Sequence, residues 1–504
     1  GTTSQQEWPN RLDVRKVGPP SRIGGGCGRV SNKLRITPTF WPCRAQIYWD
    51  MDAMRTLLIL FIASLVSSAA RAEAVSLAEV YQLAIQNDPQ IGAAEAAYLA
   101  RSEIVPQTRA GLLPSIVVSG SYTDESRSYP GVPESIAPSS SFPTERLSAG
   151  MNQPIFRADR WFQYQQAKAI RSQAGALRDG EALELIVRVA DTYFTILERQ
   201  DGLNAAMAEQ NAVKRQLEQV QQRFDVGLVA ITDVLESKAG FDSATVNVIE
   251  AEGAQTRSFE PLVRLTGRSF DEIYPLQQAF PVRSPEPANE EAWVNAAMAS
   301  NALVLQAKAG VEAAQKQVRI NQSQHLPTLD AQVSWSNQKT DNTVFSLPEV
   351  ESEFYSVNLT IPVFSGGATR SGVKQAQFQL VEAQNNLDLV ERQTAENTRA
   401  LFSAINTDVA RVKARLQGIE SSRSALAATQ TGYEVGTRNI VDVLLAQQRL
   451  FLSEFQFASA RYQYIKNTLR LKQLVGSLDQ QDLVELNRFI DVSKSVTQVK
   501  PLEQ

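Results

Sequence analysis

The chain has 504 residues, 43% of them hydrophobic and 21% charged, with a formal net charge of -4. Those fractions suffice for a packed core and exclude wholesale disorder, while the acidic balance excludes a nucleic-acid binder, which needs a basic face against phosphate. Two cysteines and one histidine exclude a disulfide-rich scaffold and a multi-histidine metal site within one chain.

Residues 1–53 show neither helical nor strand periodicity and are read as an upstream non-native or mis-annotated segment. Met54 and Arg55 then open a basic n-region, Leu57 to Val66 is a compact apolar stretch, and Ala70-Arg71-Ala72 is an A-x-A cleavage signal. Residues 54–72 are therefore expected to be a secretory signal peptide, cut between Ala72 and Glu73. Both cysteines, Cys27 and Cys43, leave with this leader, as do ten Lys/Arg and four Asp/Glu, so the remaining chain carries a net charge of -10. The run from Gly24 to Gly28 is not a phosphate loop, because no strand precedes it and no Gly-Lys-Ser/Thr follows.

The rest is one unit written twice. Ser76–Thr123 aligns without a gap on Asn289–Ser336, matching Leu113-Pro114 with Leu326-Pro327. Further on, Pro154-Ile155-Phe156 aligns with Pro362-Val363-Phe364, and Phe224–Leu235 matches Tyr433–Leu444 at six of twelve positions. The expected repeats are 73–288 and 289–490, followed by a tail over 491–504. Each begins with a helical stretch, Leu77–Gly111 and Glu291–His325, and Pro106 predicts a kink in the first. Leu-Pro then opens a strand. In Thr328–Ser336, Leu329, Ala331, Val333 and Trp335 alternate with Asp330, Gln332 and Ser334.

Turn-rich loops are expected over Asp124–Glu145 and Asn337–Glu353. Return strands of about nine residues follow at Leu147–Phe156 and Ser356–Phe364, with Pro154 and Pro362 near their ends. Each hairpin leads into a tract free of proline, from Ile155 to Glu260 and from Val363 to Lys500, with apolar residues at helical spacing. A helix of about 70 residues is about 100 Å long and cannot fold around one globular core. It packs beside others as a coiled coil or helical barrel.

No run of eighteen apolar residues supplies a membrane helix in the repeats, but four alternating strands match transmembrane β-strands in length and pattern. Four strands leave two open edges, and three chains would close them into a twelve-stranded barrel. The rival reading from the same residues is a soluble periplasmic coiled-coil adaptor or scaffold carrying two water-exposed hairpins.

The tracts Arg223–Leu235 (RFDVGLVAITDVL), Gly432–Leu444 (GYEVGTRNIVDVL), His325–Ser334 (HLPTLDAQVS) and Val475–Asn487 (VGSLDQQDLVELN) closely resemble the outer membrane efflux protein (outer membrane factor) family. The likeness runs in order through nearly all of 73–490. It implies a mixed α and β membrane protein: a homotrimer with a twelve-stranded outer-membrane barrel, four strands per chain, continued by a long α-helical barrel across the periplasm. It further implies an exit duct for efflux or type I secretion. The expected partners are outer-membrane lipid, a periplasmic adaptor (membrane fusion) protein and an inner-membrane ABC, RND or MFS transporter. Neither cofactor nor catalysis is implied.

The candidate site lies at the two glycine turns. Gly227 and Gly436 suit left-handed helix ends, and Asn439 with Asp442 suits a capping box at the next helix. By spacing alone, Asp233 and Asp442 are acids at helix N-termini. The family resemblance adds more: these turns form the closed periplasmic entrance and dock the adaptor. There Thr232 and Asp233 would tie to Tyr433 and Arg438 of neighbouring coiled coils, and Asp442 would line the constriction as an acidic ring. Family members commonly carry a second acid three residues on, where this chain has Leu445, so the constriction is expected to be less acidic and more hydrophobic. His325 is expected at a helix-to-barrel junction, Trp161, Tyr122 and Trp335 either at the membrane interfaces or in packing roles, and Trp293 packed among helices.

Overall fold

The computed structural model describes residues 74–499 except 134, 137–139, 278 and 342–348. The upstream segment, the signal peptide and the cut between Ala72 and Glu73 lie outside the described residues. Helix α1 (Leu77–Asn87) opens on a capping box in which Ser76 Oγ accepts the Glu79 N–H and the Glu79 carboxylate accepts the Ser76 N–H. Asp88 ends it and caps α2 (Pro89–Ser102), where proline stands in the first turn and loses no helical bond. Glu103 separates α2 from α3 (Ile104–Ala110). Pro106 accounts for that break, because without an N–H it cannot bond the Ser102 carbonyl. The helical stretch expected over Leu77–Gly111 is three helices, and the kink expected at Pro106 falls three residues ahead of it.

Strands β1 (Ser115–Arg127) and β2 (Ser140–Phe156) follow, then α4 (Ala158–Asp225), α5 (Ile231–Ser258), α6 (Glu260–Thr266) and the short β3 (Glu272–Ile273). The second repeat runs α7 (Glu290–Ser300), α8 (Ala302–Ser323), β4 (Thr328–Thr340), β5 (Val350–Thr360), α9 (Ala368–Glu434) and α10 (Ile440–Leu474). Helix α11 (Gln480–Asn487) and β6 (Val496–Thr497) close the chain. Asn301 divides the stretch expected over Glu291–His325 by accepting the Leu303 and Val304 N–H groups and so starting α8 afresh.

The strands are longer than the nine residues expected, at 13, 17, 13 and 11 residues. They consume both ends of the predicted loops. The last strand is also displaced: it ends at Thr360 rather than Phe364, since Pro362 has no N–H for the ladder. All four form one antiparallel sheet in the order β1-β2-β4-β5, and the β2–β4 pairing joins the two repeats. A bulge between Pro154 and Phe156 shifts its register at one end.

Residues paired across neighbouring strands share a face. Ile116, Met151 and Val333 lie on one face with Val118, Ala149 and Trp335, whereas Ser119, Ser148 and Ser336 lie on the other. The first face continues onto β5 as Val357 and Leu359, opposite Ala331 and Leu329. Over the band from Ile116 to Tyr122, Leu147 to Met151, Leu329 to Trp335 and Tyr355 to Leu359, one side of the sheet is therefore apolar and the other polar save for Val117, while Glu145, Lys339 and Glu353 make the first side polar toward the hairpin tips.

The long helices of 68 and 67 residues are each about 100 Å. Helix α8 packs between α4 and α9, α5 packs on α4, and α10 packs on both α9 and α4. Midway along α4 is the main core, built from Leu77, Val80, Tyr193, Phe194, Ile465 and Leu483 among others. The Tyr193 hydroxyl donates to the Tyr274 carbonyl at 2.6 Å, and burial pushes this phenol's pKa up. Polar pairs fix α10 along α4: Arg470 donates to Asp191 at 2.6 Å and Tyr462 to Asp201 at 2.7 Å. The expected tail over 491–504 is docked as far as 499, because β6 pairs with β3 and the Asp491 N–H donates to the Pro275 carbonyl.

Candidate functional site

The tip of each long hairpin is built by its glycine. Helix α4 ends at Asp225 and Gly227 takes φ +78°, its N–H donating to the Phe224 carbonyl at 2.8 Å. Helix α9 ends in the same way, with Gly436 at φ +79° donating to Tyr433 and Thr437 donating to Gly432. A Cβ at either glycine would meet nothing, so the requirement is the left-handed backbone and not space. Beneath the turns a second hydrophobic cluster, separate from the main core, joins the two hairpins. Val220 and Val234 come from one and Ile440 and Val443 from the other, with Phe224 and Tyr433 packed on them.

Asn439 and Asp442 form the expected capping box: the Asp442 N–H donates to Asn439 Oδ1 at 2.8 Å, and the Asn439 N–H donates to Asp442 Oδ2 at 3.4 Å. The α5 start has Ala230 at its cap, with no side-chain bond, and Asp233 in its first turn. The Thr232 hydroxyl donates to its neighbour Asp233 at 3.5 Å. Arg438, just ahead of the Asn439 cap, reaches Asp442 at 3.9 Å. Tyr433 is partly buried, and its hydroxyl has no hydrogen-bond partner among the described residues. Its pKa is raised, first by burial and then by the nearby Asp233 carboxylate, with Arg223 opposing. A single chain thus places Tyr433 within electrostatic reach of Asp233, while Arg438 is engaged with Asp442. Leu445, one turn beyond Asp442, is 46% exposed.

Two residues escaped the sequence reading. The Arg223 guanidinium lies over the Tyr433 ring, 5.0 Å from its centroid, and no local spacing connects positions so far apart in the chain. Gly432 is the other, since a Cβ there would fall 2.8 Å from Arg438 Cγ, so glycine permits Arg438 to fold back over the helix end. A groove of about 720 Å³ beside them is lined by Gln216, Gln219, Gln222, Arg223, Tyr433 and Glu434.

His325 is exposed at the α8–β4 junction. The Trp293 indole N–H donates to the Pro287 carbonyl at 2.9 Å, and its ring packs on the main core. Tyr122 and Trp161 are exposed, and the Trp335 indole donates to Glu351 at 2.6 Å. Among the described residues no group of three or more His, Cys, Asp or Glu is placed to hold a metal ion, and no helix is long and apolar enough to cross a membrane.

A family model described as outer membrane efflux protein matches residues 80–268 and 293–477, one segment in each repeat. The chain is 36% identical over 449 residues to the outer membrane protein TolC of Vibrio cholerae, covering 88% of this chain and all of that one. It is 28% identical over 441 residues to the alkaline protease secretion protein AprF of Pseudomonas aeruginosa, covering 86% and 91%. Among solved structures, the Campylobacter jejuni CmeC outer membrane channel superposes with a TM-score of 0.70 at 16% identity, covering 84% of this chain and 95% of that one.

Proposed function

The chain belongs to the outer membrane efflux protein family, and from that premise we propose that it is the outer-membrane exit duct of efflux and type I secretion assemblies. The observation that carries this is the sheet with one apolar and one polar face. An outward apolar face meets lipid and an inward polar face lines water, as a spanning barrel requires. Three copies, four strands each, close a twelve-stranded barrel, and the 68- and 67-residue helices continue it as a periplasmic tunnel. A soluble adaptor or scaffold would have to expose Ile116, Val118, Val357 and Leu359 to water, and no relative supports that reading.

The duct is passive. A periplasmic adaptor docks at the tip turns around Gly227 and Gly436, and an ABC, RND or MFS transporter in the inner membrane selects small molecules or unfolded proteins and supplies the energy. The protein should fractionate with outer membranes as a heat-sensitive trimer and conduct ions in planar bilayers. Recovery as a soluble periplasmic monomer without conductance would overturn the reading.

The tips are the gate. Thr232 and Asp233 of one hairpin and Tyr433 and Arg438 of another hold neighbouring coiled coils shut, and Asp442 with Leu445 forms the constriction. The unpartnered Tyr433 hydroxyl, lying near Asp233, supports this role. Arg438→Ser and Tyr433→Phe should each raise basal conductance, since each removes one polar tie of about 1 kcal/mol. A double variant with wild-type conductance would count against the ties.

A further inference from the structure

The two ends of the sheet carry opposite charge. The fifteen residues flanking each strand on its helix side, 100–114, 157–171, 313–327 and 361–375, together hold ten Lys/Arg against two Asp/Glu. At the opposite end, 124–145 and 337–353 hold eight Asp/Glu against two Lys/Arg. A net acidic chain has thus gathered a basic girdle where its helices meet the sheet, on the periplasmic side.

On α4 this girdle becomes a surface. Trp161, Tyr164, Lys168 and Arg171 follow at steps of three and four and share one helix face. Continued by the same steps, that face reaches Ile186, Val189 and Tyr193, on which the main core stacks α1, α6 and α11. A second layer of helices fits only on the outside of a tunnel, so the four residues face outward as well. The Trp161 and Tyr164 rings lie 6.0 Å apart, and the Lys168 ammonium sits over the Tyr164 ring, 4.3 Å from its centroid. Side chains of a helix lean toward its N-terminus, which for α4 is the sheet, so this ammonium stands about 9 Å below the helix start. The apolar face of the sheet ends beside that start, at Phe156. Lys168 therefore lies at the outer edge of the headgroup layer, which adds about 5–8 Å to each side of the hydrocarbon.

Beneath Trp161 the surface opens into a groove of about 800 Å³ between α2, α4 and α8, lined by Tyr98, Tyr164, Lys168, Arg171, Lys308 and Glu312 among others. Its lower end is satisfied within the chain. Lys308 donates to the Met298 carbonyl at 2.9 Å, and Arg178, over the Tyr98 ring, pairs with Asp179 at 2.7 Å. Its upper end differs: Lys168 rests on a ring, Arg171 stands one turn away, and Lys316 and Arg319 lie nearer the sheet on the Glu312 face of α8. Among the described lining residues, Glu312 is the one acid left to oppose these four cations.

We propose that this groove binds the headgroup of an acidic phospholipid in the periplasmic leaflet, Lys168 and Arg171 holding the phosphate and Trp161 lying along the glycerol. This rests on the outer-membrane duct reading and gives the basic girdle its partner. Aromatic rings favour that level of a membrane, and cations there are drawn to anionic headgroups. A lipid fits better than a soluble phosphate ester, because the groove continues the apolar sheet face that meets acyl chains.

Native mass spectrometry of the full-chain trimer, released from detergent with added phosphatidylglycerol or phosphatidylcholine, tests this. Phosphatidylglycerol should be retained about tenfold more strongly. Lys168→Gln with Arg171→Gln should abolish that preference. Lys214→Gln with Arg215→Gln, the same charge loss at exposed positions about 70 Å further down α4, should preserve it. The spectra also report assembly, and if the first pair forms no trimer, Arg171→Gln alone should lower the preference about threefold. Equal retention of both lipids by the wild type, or an unchanged preference without Lys168 and Arg171, overturns the site. Displacement of phosphatidylglycerol by about 10 mM glycerol phosphate, a headgroup without acyl chains, overturns the lipid assignment. A monomeric wild-type mass overturns the duct reading beneath both.

Discussion

Asp442→Asn should weaken block of the closed channel by polyvalent cations by about tenfold or more in single-channel recordings, because a ring of three carboxylates becomes neutral. Asparagine suits the test. Its side-chain oxygen can still accept the Asn439 N–H that Asp442 Oδ2 now accepts at 3.4 Å, so the α10 start is retained while the charge is lost. The change also removes the 3.9 Å contact with Arg438, whose proposed tie to the neighbouring hairpin is left in place. The converse variant is Leu445→Asp. It restores a second acid one turn along the same helix face, and block should strengthen by a similar factor. Unchanged block in Asp442→Asn would remove that residue from the constriction, whatever Leu445→Asp does.

Much of this site could be read from residues because its geometry is local. A helix reversal with φ near +78° needs glycine, and Asn-x-x-Asp before an apolar run announces its own cap, so Gly227, Gly436 and the box at Asn439 and Asp442 fell where expected. The Arg438–Asp442 contact was equally local, an i,i+4 pair, and was overlooked because the resemblance assigned Arg438 a partner on another hairpin. Arg223 over Tyr433 was not legible, since packing of one hairpin on the other sets it.

The strands show the same division. Alternation located β4, but β2 begins at Ser140, among serine and proline residues whose composition signals a loop. Only pairing to β1, Arg127 opposite Ser140, makes that stretch a strand. The β2–β4 seam likewise has no local signature, because it is a contact between repeats. The sequence shows that the repeats exist, and the sheet shows how one repeat meets the next.

The largest loss of stability is expected from Phe194→Ala, at about 3–5 kcal/mol, the range for emptying a buried aromatic site. Phe194 is fully buried, edge-on to Tyr193 and stacked on Tyr462 at 6.0 Å, so its ring joins α4 to α10 within the main core. Phe194→Leu keeps most of the volume and should cost less than about 1.5 kcal/mol. The core grips α4 near its middle, about 50 Å from the tip by helical rise. Val220, Val234, Ile440 and Val443 form a separate cluster there. Thermal unfolding should therefore resolve the two effects. Phe194→Ala lowers the melting temperature while leaving basal conductance near wild type, whereas Tyr433→Phe raises conductance with little change in melting. Combined, the two should add, because groups this far apart with no shared partner do not couple. A melting temperature for Phe194→Ala within a degree or so of wild type would mean that the main core does not hold α10 to α4, and strong non-additivity would mean that core and gate are one unit.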